Sequence, residues 1–188
     1  KHGFPRADGL LLDLGFSSAH LESGRGFSFQ KDEPLDMRYN NIGISDITRI
    51  SDIQNITAAE VINTFSERAL AEILWKYGEE RGSRRIAKAI IEARKKKSIE
   101  SARDLVRIIG EKRTTKIHPA TRTFQALRIY VNRELENLEE ALQKIPDIIK
   151  PEGRAAVITF HSLEDRIVKQ HFKTFEEQGI GKRLNKKV

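Results

Sequence analysis

The chain has 188 residues, with 34 Lys and Arg against 27 Asp and Glu, a formal net charge of +7 and a pI near 9.7. This length suits one compact domain or a domain with a substantial insertion, and the basic balance favours a polyanionic partner over an acidic small molecule. The absence of cysteine excludes disulfides, thiolate metal sites and cysteine nucleophiles. No signal peptide or membrane-length apolar run is present, so we expect a soluble, cytoplasmic protein.

The first predicted element is a strand in the segment DGLLLDLG, residues 8–15. A short apolar run between turn-forming residues is typical of a strand buried on both faces of a parallel sheet. Asp13 would then lie at the carboxyl edge of that sheet. Residues 16–55 lack sustained periodicity and are predicted to be mainly ordered loop, with a local excursion over residues 40–55.

A helical block is predicted over residues 57–112. It begins with the capping-box pattern of Thr57 and Glu60, in which hydroxyl and carboxylate satisfy free amides of the first turn. The apolar spacing suits two or three packed helices broken near Ser66 and near residues 78–82, and another helix begins at Ser101. The block has no strand signal, which favours a small inserted domain.

The remaining elements are a helix, a strand and a helix. Apolar residues recur at intervals of three or four over residues 120–144, which predicts one long helix ending before Pro146. Residues 149–154 are predicted to form a turn, and residues 155–160 a second buried strand that delivers His161. Ser162 and Asp165 are predicted to cap a last helix running to about residue 177. This order is half of an open α/β sheet.

Ligands of open α/β sheets bind outside the carboxyl ends of the strands, which selects Asp13 and His161 with Ser162. If the two strands are neighbours, these groups share one crevice. The structural alternatives are that Asp13 caps a turn and that His161 holds the strand-to-helix turn.

Several other chemistries have little support. The histidines show no metal-ligand clustering, and no Ser/His/Asp arrangement exists beyond His161, Ser162 and Asp165, so a metal centre and a hydrolase triad are not expected. No phosphate-binding loop motif occurs, which argues against nucleotide hydrolysis.

Basic residues gather in clusters that can follow a phosphate backbone and make binding dependent on salt. For residues 94–97, at a helix end where positive charge is favourable, a solvated helix face is the better interpretation. The clusters are Arg81, Arg84, Arg85 and Lys88; residues 94–97; Lys112, Arg113 and Lys116; and Lys182, Arg183, Lys186 and Lys187.

Six segments in order resemble the RsmH (MraW) family, the S-adenosylmethionine-dependent methyltransferases of cytosine N4 in small-subunit ribosomal RNA. They span most of the chain, so chance similarity is improbable. The segments are DGLLLDLGFSS (8–18), RGFSF (25–29), PLDMR (34–38), YGEER (77–81), HPATRTFQALR (118–128) and FHSLEDRIVK (160–169).

The resemblance implies a partial class I, Rossmann-like methyltransferase sheet over residues 1–39 and 113–188, interrupted by residues 40–112 as loop excursion and all-helical insertion. It implies that Asp13 contacts S-adenosyl-L-methionine, and that His20 stands where the family usually has a Gln that also contacts it. An imidazole can still offer one hydrogen bond. The family's glycine-rich cofactor loop and basic tail are expected outside this chain, so the chain alone is expected to be inactive and to bind cofactor weakly or not at all.

The implied reaction requires the cytosine to be unstacked and its amine to be aligned with the sulfonium methyl group. Asp13, His161 and Asp165 are the candidate catalytic residues. His118, Arg122 and Arg128, with Arg81, Arg84 and Arg85, are the candidates for holding small-subunit ribosomal RNA, Arg122 and Arg128 being alternatively candidates for the cofactor carboxylate. Two alternatives stay open: a methyltransferase with another amine or amide substrate, and a non-catalytic RNA-binding relative.

Overall fold

The computed structural model describes residues 5–39, 56–110 and 118–184. The predicted excursion over residues 40–55 and the basic residues at positions 112, 113, 116, 186 and 187 lie outside these ranges. None of the described helices has the length and apolar character that crossing a membrane requires.

The described elements are two strands and nine helices. In chain order they are β1 (Ala7–Asp13), α1 (Ser18–Leu21), α2 (Ala58–Thr64), α3 (Glu67–Gly78), α4 (Ser83–Arg94), α5 (Ala102–Ile109), α6 (Ala120–Asn132), α7 (Glu134–Gln143), α8 (Ile145–Ile148), β2 (Ile149–Ile158) and α9 (Ser162–Glu177).

Packing divides the chain into two compact units. The sheet unit comprises residues 1–16 and 134–188, and the helical unit comprises residues 17–133. These boundaries differ from the predicted domain boundaries at residues 39/40 and 112/113. Because compact units are defined by packing alone, the predicted domain organisation stays a prediction.

The sheet unit is built on β1 and β2, which pair in parallel with Leu12 opposite Val157 and Asp13 opposite Ile158. Leu10 and Leu12 pack toward a core formed by Leu138, Leu142, Ile145 and Val168. The opposite side is open, since Leu11 is 62% exposed. The helices α7 and α9 contribute to the apolar core that covers one face of β1, and the other face is exposed. The prediction that β1 is buried on both faces is therefore wrong within the described residues.

The second strand begins earlier than predicted. Residues 149–154, expected to be a turn, belong to β2, and the register with β1 shifts between Ala7 and Gly9. Glu152 adopts a left-handed backbone with φ 65° inside this irregular part. The turn-forming composition therefore produces a bulged start of the strand, and the strand ends at Ile158, two residues before the predicted end.

The helical unit follows the predicted breaks. Thr57 accepts a hydrogen bond from the Glu60 amide at 3.1 Å, and the Glu60 carboxylate accepts one from the Thr57 amide at 2.7 Å, which confirms the capping box. Ser66 caps α3 and Ser101 caps α5, each through a hydroxyl that accepts from the amide three residues later. These local pairs satisfy the free amides at each helix start, so the helices begin where the sequence indicates.

A loop is held against these helices by backbone hydrogen bonds. The Leu35 amide donates to Glu100 O at 2.9 Å, and the Ala58 amide donates to Asp36 O at 2.9 Å. Leu35 and Met37 are completely buried. The described residues between 17 and 39 thus contain only the short α1 and the isolated bridge of Pro34 with Ser101, yet they supply core side chains to the helical unit.

Helices α3 and α6 approach each other at Gly78. A Cβ atom placed there would lie 2.5 Å from the carbonyl oxygen of Arg122 and 3.1 Å from the Cβ of Ala126. Real side chains never tolerate the first distance, so glycine is what allows these backbones to pack so closely.

The predicted long helix over residues 120–144 is wrong. It is two helices, α6 and α7, separated at Arg133, which adopts a left-handed conformation with φ 51°. The Arg133 amide still donates to the carbonyls of Ile129 and Tyr130, but its left-handed backbone turns the chain out of the helix, so α6 ends there. Pro146 lies in the first turn of α8, where its missing amide costs nothing.

Candidate functional site

Asp13 ends β1 at the carboxyl edge of the parallel pair. The Leu14 amide donates to Ile158 O at 3.2 Å, so the two chain segments leave the sheet side by side. Because the strands are parallel neighbours, Asp13 and the turn that follows β2 lie at the same edge. The Asp13 side chain is exposed and has no hydrogen bond or ion pair within the described ranges.

His161 occupies the turn between β2 and α9. Its Nδ1 accepts a hydrogen bond from the Glu164 amide at 3.4 Å, and its Nε2 lies 3.3 Å from Glu164 Oε1. Glu164 Oε2 accepts in return from the amides of Phe160 and His161, at 2.9 and 3.3 Å. His161 is therefore the N-cap of α9, in place of the predicted Ser162 cap, and both ring nitrogens contact Glu164.

Glu134, at the start of α7, joins this turn. One ligand-type atom from each of Glu134, His161 and Glu164 lies within 4.8 Å of the others. Since Nδ1 accepts from an amide, a neutral His161 ring carries its proton on Nε2, which faces a carboxylate. The three side chains therefore form one polar cluster at the turn after β2.

Asp165 pairs along its own helix. Its Oδ2 lies 2.9 Å from Lys169 Nζ, an i, i+4 ion pair on the surface of α9. The first turn of α9 therefore directs one carboxylate, Glu164, inward to the cap and the other, Asp165, to a lysine.

His20 lies in an aromatic cluster of the helical unit. Its ring centroid is 4.9 Å from that of Tyr39 and 5.7 Å from that of Phe27. Its Nδ1 accepts from the Ser17 amide at 3.1 Å as part of the capping box of α1. One nitrogen is thus used locally, which leaves Nε2 as the single hydrogen-bonding position of the ring.

The three candidates before or on α6, His118, Arg122 and Arg128, have different surroundings. The ring of His118 stacks on Phe29 with centroids 4.6 Å apart, and its Nδ1 accepts from the Ala120 amide at 3.2 Å. Arg122 is exposed, and its Nη1 donates to Glu79 O at 3.3 Å. Arg128 is half-buried, and its carbonyl accepts from Asn132.

Arg81, Arg84 and Arg85 are exposed and flank the start of α4. None of the three has an acidic partner within 4 Å in the part of the chain that the structure describes. Positive charge at a helix N-terminus is unfavourable because it opposes the helix dipole. An anion bound nearby would relieve that repulsion.

Residues 94–97 are not a uniform solvated face. Arg94 is half-buried, and its Nη1 donates to the carbonyls of Ile62 and Phe65 at 2.6 and 2.7 Å, closing the C-terminal end of α2. Lys95 pairs with Glu92 at 2.7 Å. The interpretation as exposed charge is therefore wrong for Arg94 and holds for Lys95, Lys96 and Lys97.

Two carboxylates were missed from the sequence. Glu164 stands three residues after His161, which is the spacing of a capping box, but histidine is not among the preferred N-cap residues. Glu134 comes from a helix start that the predicted continuous helix concealed. Only the break at Arg133 reveals it as a first-turn residue.

A parallel strand pair with helices packed on it, joined to a separate helical unit, defines a mixed α/β protein whose polar edge is suited to binding. The family model described as the MraW methylase family matches residues 1–187, and the chain belongs to that family of methyltransferases.

Curated relatives agree with this assignment, and the three that follow share the name "Ribosomal RNA small subunit methyltransferase H". The protein of Coprothermobacter proteolyticus is 52% identical over 188 residues, covering 97% of this chain and 58% of the relative. That of Fusobacterium nucleatum is 49% identical over 175 residues, covering 91% and 52%. That of Dictyoglomus turgidum is 47% identical over 186 residues, covering 96% and 58%. The chain thus spans little more than half the length of these relatives.

Proposed function

We propose that the chain is part of an enzyme that transfers a methyl group from S-adenosyl-L-methionine to the exocyclic N4 of a cytosine in small-subunit ribosomal RNA. The observation that carries the proposal is the family match over residues 1–187, with relatives near 50% identity that bear a ribosomal RNA methyltransferase name. The partner is then the small ribosomal subunit or its RNA, and the location is the cytoplasm.

The fold proposed for this function is a partial class I, Rossmann-like sheet interrupted by a helical insertion. The parallel pairing of β1 with β2 supports it, as does the purely helical run from α2 to α5. In this arrangement residues 1–39 and 113–188 form the methyltransferase domain, and residues 40–112 form the inserted part.

Asp13 is proposed to act on the amine of the target base. The amine is a weak nucleophile because its lone pair is delocalised into the ring, and an acceptor aimed at its N–H helps as positive charge develops. An exposed carboxylate at the carboxyl edge, without a partner among the described residues, suits this role. The Asp13 carboxylate would accept an N–H hydrogen bond and then the proton.

Two polar side chains of the chain also fit S-adenosyl-L-methionine, which supplies an electrophilic methyl group when bound. Asp13 is an available acceptor, and His20 has Nε2 left after Nδ1 is used in the α1 cap. Nε2 would donate one hydrogen bond where relatives of the proposed type use an amide. His20 would thus contribute one hydrogen bond through Nε2.

His161 and Asp165 are proposed to position the edge of the sheet. His161 contacts Glu164 through both nitrogens, so its contribution is to fix the turn after β2. Asp165 is tied to Lys169 but remains partly exposed, so it can approach a polar substrate group. Asp13 is therefore the first choice for the chemical step.

RNA is proposed to contact the helical unit. Arg81, Arg84 and Arg85 supply exposed positive charge, and His118, Arg122 and Arg128 lie before or on α6. Phosphate contacts of this kind add affinity that falls as salt rises. They hold the RNA while the target base is unstacked.

The proposal is tested with protein expressed from its complete reading frame and radiolabelled S-adenosyl-L-methionine. We expect labelled N4-methylcytidine in small ribosomal subunits. Asp13→Asn should reduce the incorporation of label by about a hundredfold or more. Asp8→Asn, which changes an exposed carboxylate of the same strand, is the control and should incorporate label normally. Label in DNA or a protein amide would indicate another substrate. Subunit binding without any transfer would indicate a non-catalytic RNA-binding protein.

A further inference from the structure

An aromatic groove lies on the helical unit, and none of the site residues discussed so far lines it. Its volume is about 470 Å³, within the range of about 300–1,000 Å³ typical of small-molecule pockets. Half of its lining residues are aromatic. The lining residues are Phe65, Ala69, Glu72, Ile73, Trp75, Lys76, Tyr77 and Tyr130.

The rings of this groove differ in how firmly they are held. Tyr130 packs edge-on against Phe65, with centroids 5.8 Å apart and planes at 83°, and tilts against Tyr77 at 5.9 Å. Tyr77 is buried, whereas Trp75 is 60% exposed. A rigid aromatic floor beside one exposed indole is the arrangement on which a planar ligand can stack.

Positively charged side chains near the groove indicate which kind of ligand it would bind. Lys76 Nζ lies 4.7 Å from the Tyr77 ring centroid and 3.1 Å from its hydroxyl, so a cation stands at the groove. Trp75 and Arg81 are six residues apart, which limits their separation to about 20 Å. Arg81 is the first of the three exposed arginines around the start of α4. Glu72 also lines the groove, but its carboxylate pairs with Arg68 at 3.0 Å. An aromatic surface with Lys76 beside it and further cations within reach along the chain matches a nucleic acid better than an apolar helix.

We propose that this groove stacks an unpaired base of single-stranded RNA whose phosphates reach Arg81, Arg84 and Arg85. The inference rests on the proposed function and adds a base-binding position to it. Stacking accepts any base because every base has a π-face, so the groove would hold flanking RNA without selecting its sequence. The base that undergoes reaction would be a different one, at the edge that carries Asp13.

The experiment uses the one tryptophan of the chain as its probe. Trp75 emission is followed while an unpaired RNA of about 12 nucleotides is added, a length within the usual range of about 4–16. We expect saturable quenching, and much weaker quenching by a blunt duplex of the same sequence. Trp75 emission that stays unchanged while the RNA binds would overturn the proposal, as would absence of RNA binding.

Variants give an independent readout through the anisotropy of labelled RNA. Trp75→Leu changes an exposed residue, so folding is preserved, and its affinity should fall about 5- to 150-fold. Ile180→Ala, which removes an exposed apolar side chain outside the groove, is the matched control and should bind normally. Equal affinity of Trp75→Leu and wild type overturns the groove proposal. If methyl transfer to subunits persists in that case, the proposed function still stands.

Discussion

Asn63 and Ile99 exchange two hydrogen bonds across 36 residues of sequence: Asn63 Nδ2 donates to Ile99 O at 2.8 Å, and the Ile99 amide donates to Asn63 Oδ1 at 3.0 Å. The same Nδ2 donates to Ala59 O at 2.9 Å. One side chain thus joins α2 to the segment that leads into α5.

Asn63→Ala should lower the free energy of unfolding by about 1–3 kcal/mol, because the partly buried amide and carbonyl of Ile99 lose their partners. Urea denaturation followed by circular dichroism measures the change. Gln143→Ala, at an exposed helix end, is the control and should shift stability by no more than about 0.5 kcal/mol. Equal midpoints for the two variants would mean that the Asn63 bridge contributes nothing.

The Asp36 and Arg38 pair predicts a pH dependence. Burial raises the pKa of Asp36, but the bidentate hydrogen bonds from Arg38, at 2.6 and 2.9 Å, outweigh it and hold the pKa below its usual 3.8. A carboxylate with a lowered folded-state pKa stabilises the fold above its unfolded pKa, and this contribution is lost as pH falls through the lowered value. Asp36→Asn should therefore be less stable than wild type at neutral pH.

The difference between Asp36→Asn and wild type should shrink below about pH 4, as the wild-type carboxyl becomes protonated. Unfolding free energies measured from about pH 7 down to about pH 3 test this. A difference that stays constant over that range would show that the ionised form of Asp36 has no special role.

Substitutions of His161 can distinguish its role as the N-cap of α9 from a role in the chemical step. Asn is a favoured N-cap residue, so His161→Asn should retain most of the stability, whereas His161→Ala should lose about 0.5–2 kcal/mol. Because we assign His161 a positioning role, methyl transfer by His161→Asn should fall by less than tenfold. General acid–base catalysis contributes about 10²–10⁴-fold, so a stable His161→Asn protein with a loss of that size would make His161 a catalytic residue.

Arg81, Arg84 and Arg85 should contribute to RNA affinity through released counterions. Changing all three to Gln should weaken RNA binding and reduce the slope of log affinity against log salt by about 2, at about 0.7 per phosphate contact on a single strand. The matched control changes Arg68, Lys95 and Lys173, which already pair with acids at 3.0, 2.7 and 3.5 Å. Identical slopes for the two triple variants would remove the arginines from the interface.

Local signals predicted much of the helical unit. The pairs Thr57 with Glu60 and Ser101 with Asp104 carry their own hydrogen bonds, so sequence spacing alone identifies the helix starts. The break at Arg133 has no such signal, since the apolar spacing from Val131 to Leu135 continues through it without Gly or Pro. The left-handed residue lies at the boundary between the two compact units, a position that local spacing does not mark.

The sequence predicted the positions of candidate site residues only where the order of strands and helices determines them. Asp13 ends β1 and His161 lies in the turn that follows β2, and the parallel pairing of the two strands brings them to the same edge, as the sequence indicated. The contact of His161 with Glu164 depends on side-chain rotamers, and the groove brings Phe65, Trp75 and Tyr130 together from distant positions. Spacing in the sequence cannot specify such contacts.

The close packing at Gly78 also restricts which changes in its codon the protein can tolerate. Every single-base missense change in a glycine codon introduces a side chain with a Cβ atom, and that atom would meet the Arg122 carbonyl at 2.5 Å. Only synonymous changes leave the α3–α6 contact as it is. In a population of genes encoding this chain, codon 78 should vary at its third base alone.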